Sequence, residues 1–121
     1  MEFTYEEKIA TSKMAAIMMY ADGKVEQTEQ VIVASVFGKF KLSKSDMEEV
    51  NKMNKVVALM ILSQMDTQKK RIVSAILGTI MIVDGNIAND ELKLWRFVAN
   101  VCEFPILEIS DCSQIAVNYL Y

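Results

Sequence analysis

The stretch DTQKKRIVSAILGTIMIVDGNIANDE, residues 66–91, decides the fold. Nine of the twelve residues from 72 to 83 are apolar, and only Ser74, Gly78 and Thr79 interrupt them. With no polar face left, the segment has to be covered by protein on both sides. Its β-branched residues would suit a buried strand, but length decides otherwise. From Asp66, a good N-cap, to the stop at Asp84-Gly85 there is room for a helix of about five turns. A membrane span requires about 20 apolar residues, and Lys69, Lys70 and Arg71 close this run at twelve. The expectation is a central core helix. Gly85 ends it by taking the left-handed conformation at little steric cost, and Asp84 accepts bonds from backbone N–H groups just beyond.

Working outward, the 121 residues are 52% hydrophobic and 24% charged. That composition fits one compact all-α domain over residues 1–121, with no linker or low-complexity stretch. A net charge of −3, with 69–71 the one basic cluster, argues against nucleic acid, since phosphate binding needs a cationic surface. Neither a signal peptide, a basic amphipathic anchor nor a transmembrane segment is expected. There is no histidine, which removes the Ser-His and Cys-His nucleophile pairs and the usual zinc, copper and haem ligand sets. Only carboxylate and amide oxygens are left, for a hard cation such as calcium, magnesium or manganese. Cys102 and Cys112 are expected as buried free thiols.

A first helix is expected over residues 4–21, opened by the capping box of Thr4 and Glu7. Ile9, Ala16, Ile17 and Tyr20 fall on one face, and Met14, Met18 and Met19 widen it as core filler. After Asp22-Gly23 a second helix runs over 26–40 with Ile32, Val33, Val36 and Phe40 at helical spacing. Ser43 or Ser45 caps a third, carrying Met47, Val50 and Met53. The apolar run VVALMIL at 56–62 follows, with Asn51 and Asn54 the only hints of a break before it.

Shifting the numbering by 62 reproduces this plan. Asp22, Gly23, Val25 and Glu29 fall on Asp84, Gly85, Ile87 and Glu91; Ile32, Val33, Val36 and Phe40 fall on Leu94, Trp95, Val98 and Cys102. Met47, Val50 and Met53 then match Ile109, Cys112 and Ile115. The pattern predicts two pseudo-symmetric helix-loop-helix repeats, about 9–53 and 71–115, related by a near two-fold rotation.

The two stretches MMYADGKVEQTEQVIVASVF, residues 18–37, and MIVDGNIANDELKLWRFVANV, residues 81–101, resemble the paired motif of the TerB-like family, the tellurite-resistance protein B group. Its hallmark is an [A/V]-D-G-x-[I/V]-x-x-x-E element on an all-helical domain. The resemblance implies about seven helices and a non-enzymatic, cytoplasmic protein. It also implies a link to tellurite-type stress and to proposed metal sensing or assembly at the membrane face, so a peripheral membrane complex, an unidentified protein partner and a homo-oligomer all fit. Related domains accompany J-domain co-chaperones, but this chain has no J domain. The family's acidic loop positions carry over to Asp22 and Glu29 and to Asp84 and Glu91. One departure is that Glu26 and Ala88 stand where members often have serine, threonine or aspartate, so half of each capping box is missing.

Calcium is the sharper reading of the loops. With Gly23 or Gly85 at position 6 of an EF-hand, Asp22 and Asp84 take position 5 and Glu29 and Glu91 take position 12. Positions 1 and 3 become Met18 and Tyr20, or Ile80 and Ile82, which offer calcium no side-chain ligand. That excludes a tight EF-hand. A weaker site is still admitted at Asp22, Glu26 and Glu29, or at Asp84, Asn86, Asp90 and Glu91, against pure helix-terminus chemistry. A carboxylate-pair enzyme is the weakest class, because acidic residues at helix starts are expected to stay ionised through solvation and the helix dipole.

Overall fold

The computed structural model of the chain describes residues 1–83, 85 and 87–121. Among these, seven α-helices follow in order: α1 Tyr5–Tyr20, α2 Gln27–Lys39, α3 Lys44–Lys52, α4 Lys55–Ser63, α5 Thr67–Ile82, α6 Asn89–Val101 and α7 Ile109–Leu120. Asp66 starts α5 as expected, its Oδ1 accepting from the Lys69 N–H at 2.9 Å. Every residue from 73 to 81 is then buried, because α1, α2, α6 and α7 all pack against this helix. The buried Thr79 turns back on the helix, its hydroxyl donating to the Ala75 carbonyl at 2.7 Å.

Thr4 opens α1 with both halves of a capping box, Glu7 N to Thr4 Oγ1 at 3.2 Å and Thr4 N to Glu7 Oε1 at 2.8 Å. The same carboxylate oxygen takes the Lys69 ammonium at 2.8 Å, tying the start of α1 to the start of α5. Partial burial pushes the Glu7 pKa up, but the bonds from Lys69 and Thr4 outweigh it and hold the carboxyl below its usual value.

The buried surface of α1 differs from the expected face. Ile9 is buried, but Ala16 and Ile17 are half-buried and Tyr20 is exposed. Met14, Met18 and Met19 are buried as expected, and Ala10, Thr11, Ser12 and Ala15 are buried with them, so the enclosed surface is broader than one face. The reason is that α2, α3, α4 and α5 press on α1 from several sides. Small residues at 10–12 and 15 permit that approach, and hydropathy periodicity gives small residues little weight.

α3 and α4 are two helices, not one bent helix. Met53 is extended, with φ −62° and ψ 129°, and Asn54 caps α4 by accepting from Val56 N at 2.7 Å. Ser43, not Ser45, caps α3 with Asp46 as its reciprocal partner.

The bounds of α5 and α6 are those of α1 and α2 displaced by 62. Gly23 and Gly85, at φ +77° and +85°, share that offset, as do Lys41 and Glu103, both at +55°. Lys41 and Glu103 sit in matching helix ends in which Leu42 N reaches Phe37 O at 3.1 Å and Phe104 N reaches Ala99 O at 2.9 Å. The parallel then lapses. α7 has 12 residues against 9 in α3, and α4 has no counterpart among the described residues.

Candidate functional site

The first acidic loop joins α1 to α2. Gly23 takes the left-handed turn, which places the Asp22 carboxylate back over the chain, where Oδ1 accepts from Lys24 N at 3.0 Å. Glu26 is exposed and extended at the N-cap of α2. Glu29 folds back, its Oε1 accepting from Glu26 N at 3.1 Å, as the retained half of the capping box predicts. The expectation that solvation surrounds the loop acids is overturned for the two glutamates: Glu29 and Glu91 are each only 1% exposed. Each lies within the first turn of its helix, α2 or α6. The second carboxylate oxygen of Glu29, Oε2, is buried and has no hydrogen-bond partner among the described residues.

In the second loop Gly85 repeats the left-handed turn, with its N–H on the Ile82 carbonyl at 3.0 Å. Asp90 is exposed and Glu91 buried. Asp84 and Asn86, both candidate metal ligands, lie outside the described residues. Among the described residues, no three of the aspartates, glutamates and cysteines gather as a group that could hold a metal ion.

Cys102 and Cys112 are free and buried, as expected. Burial pushes both thiols up to about 11, so they stand protonated at neutral pH and are poor nucleophiles.

The feature that sequence reasoning missed is an apolar surface. In the run at 56–62 only Ala58 and Leu62 are buried, while Val56 and Met60 are 62% and 57% exposed and Val57 is exposed beside them. α4 packs against α6, and the Cys102 thiol of the α6 C-cap reaches the Leu59 carbonyl at 3.5 Å. On α6, Phe97 is 56% exposed and Val101, one turn on, is also exposed. The signal in the sequence was the unbroken hydrophobicity of VVALMIL, which a short helix on the rim of a bundle cannot bury on every side. No helix among the described residues is long and apolar enough to cross a membrane.

No family model matches the chain, and no curated protein matches it. A solved structure does: the crystal structure of a protein of unknown function from Porphyromonas gingivalis is 27% identical, with a TM-score of 0.79 over 98% of each chain. The seven-helix architecture is therefore one that an experimentally determined protein is similar to along its whole length.

Proposed function

We propose that the chain is a non-enzymatic, TerB-like binding module that docks a protein partner through the outer faces of α4 and α6. The observation that carries this reading is the exposure of Val56, Val57 and Met60 on α4 and of Phe97 and Val101 on α6, two helices that pack on each other, because exposed apolar residues gathered on a small domain mark interaction surfaces. The TerB-like assignment is supported by the two DG elements and their left-handed glycines 62 residues apart. It brings with it a role in tellurite-type stress, inside the cell. The lack of histidine and the protonated thiols support the non-enzymatic reading.

The test is quantitative affinity purification from a native extract with wild type, Met60→Glu, Phe97→Glu and Asp22→Asn. The glutamate variants stand at exposed positions and should keep the wild-type melting temperature. A partner enriched by wild type and Asp22→Asn but lost from both glutamate variants is the expected result; a self-association lost in the same way, seen by sedimentation, would make the partner a second copy. A partner lost only from Asp22→Asn would move the function to the loops. A divalent-cation role keeps one specific support, the buried Glu29 Oε2, which has no hydrogen-bond partner among the described residues.

A further inference from the structure

A cleft of about 500 Å³ opens between α5, α6, the extended segment after α6 and the first residues of α7. Its size falls within the range of about 300–1,000 Å³ usual for small-molecule sites. Trp95 and Phe104, both largely buried, and Leu107 give it an apolar body. The indole is fixed, since Trp95 Nε1 donates to the Ser74 carbonyl at 3.0 Å.

Two polar features distinguish the cleft from an ordinary crevice. Ser74 lines it, is 1% exposed, and its hydroxyl has no hydrogen-bond partner among the described residues. A helical serine ordinarily bonds the carbonyl one turn back or faces water, and leaving a buried hydroxyl unsatisfied costs stability. The second feature is charge. Arg96 and Asn100 are four residues apart on α6 and so neighbour each other on the helix, while Glu108 is the N-cap of α7; all three line the cleft. Neither Arg96 nor Glu108 takes part in an ion pair among the described residues. A cation and an anion thus share one small cleft without pairing.

We propose that this cleft binds a free α-amino acid with an apolar side chain. Arg96 and Asn100 hold the carboxylate, the Arg96 guanidinium offering the forked donor geometry that suits it. Glu108 holds the ammonium, the side chain lies against Trp95 and Phe104, and the Ser74 hydroxyl gains a partner on the ligand. A zwitterion is favoured over a simple carboxylate because Glu108 would repel an anion that carries no ammonium.

The experiment is calorimetry and ¹⁵N-resolved NMR titration of the full chain with L-leucine and L-phenylalanine as probes. Isocaproate, which lacks the amine, isoamylamine, which lacks the carboxylate, and N-acetyl-leucine serve as controls. Saturable shifts of the Trp95 indole and of amides 96–109 are expected, with each control binding at least about tenfold more weakly, since one charged hydrogen bond is lost. Glu108→Gln should weaken leucine while leaving isocaproate no weaker, and Arg96→Gln should weaken leucine while leaving isoamylamine no weaker. Both side chains are exposed, and the control series on wild type needs no variant. The proposal is overturned if the two amino acids give no saturable shift at millimolar concentration, or if isocaproate or N-acetyl-leucine binds as tightly as leucine; the latter would make the ligand a carboxylate such as a peptide C-terminus.

Discussion

Replacing Gly78 by alanine puts a methyl group into the closest seam of the bundle, between α5 and α7. A Cβ built there would stand 2.7 Å from Cys112 Sγ, 3.2 Å from Cys112 Cβ and 3.4 Å from Trp95 Cε2. Two effects oppose each other. Alanine gains about 1 kcal/mol over glycine inside a helix, whereas overpacking a filled core costs about 1–3 kcal/mol. Cys112 has little room to give, because it is fully buried and its thiol reaches the Glu108 carbonyl at 3.6 Å. Trp95 is held by its bond to Ser74. Overpacking should therefore win, for a net loss of up to about 2 kcal/mol and a fall in Tm of up to about 10 °C. Thermal unfolding followed by circular dichroism reads this directly. A double-mutant cycle with Cys112→Ala assigns the cause: removing the thiol should relieve the clash, with a coupling energy of about 1 kcal/mol or more. A Gly78→Ala protein that melts at or above wild type, or a cycle with no coupling, would refute the close α5–α7 approach.

Gly23→Ala and Gly85→Ala should each cost about 1–2 kcal/mol through the left-handed backbone alone, since no atom of the described residues beyond the chain neighbours lies within 4 Å of either Cβ position, and the valine counterparts should melt lower still. Asp22→Asn and Asp84→Asn should cost little where alanine costs about 1 kcal/mol, and millimolar calcium, magnesium or manganese should move the wild-type Tm only slightly; a large, saturable rise abolished in Asp84→Asn would make the second loop a metal site. Glu7 is held below its usual pKa of 4.5, so the unfolded chain takes up the proton first. The stability from the Lys69 pair should be present above that value and drain away as pH falls below it, a slope that Glu7→Gln should lack in urea unfolding curves measured against pH. Cys102 and Cys112, both at 0% exposure, should resist a disulfide reagent at neutral pH until the protein is unfolded, and fast labelling of the native state would contradict their burial.

The central helix was legible because its signals agree: an apolar run too long for a strand and too short for a membrane, an aspartate at one end and a glycine at the other. The caps at Thr4, Ser43 and Asp66 were legible for the same reason, since their chemistry is local. What periodicity could not show was which faces have neighbours. Tyr20 looked like part of the core but is exposed, and Met60 and Val56, in an equally apolar run, face water. The loop glutamates show the same limit. Glu29 and Glu91 lie in the first turn of α2 and α6, but their burial depends on how those helices seat against the bundle, which no residue of the loop specifies. The cleft was illegible because Ser74, Arg96 and Glu108 come together only through packing of elements separated in the chain.

The uninterrupted burial of α5 also has a kinetic meaning. Nine consecutive residues of this helix are enclosed, so its amides can meet solvent only when the helices around it come away together. Hydrogen exchange there should proceed through global unfolding, at the full free energy of the fold, while the rim helix α4 and the two DG turns open by smaller local steps. The proposed docking face and the cleft share α6. A ligand held between α5 and α6 would slow exchange along α6 and stiffen one side of the docking face, without any rearrangement of the rod at the centre.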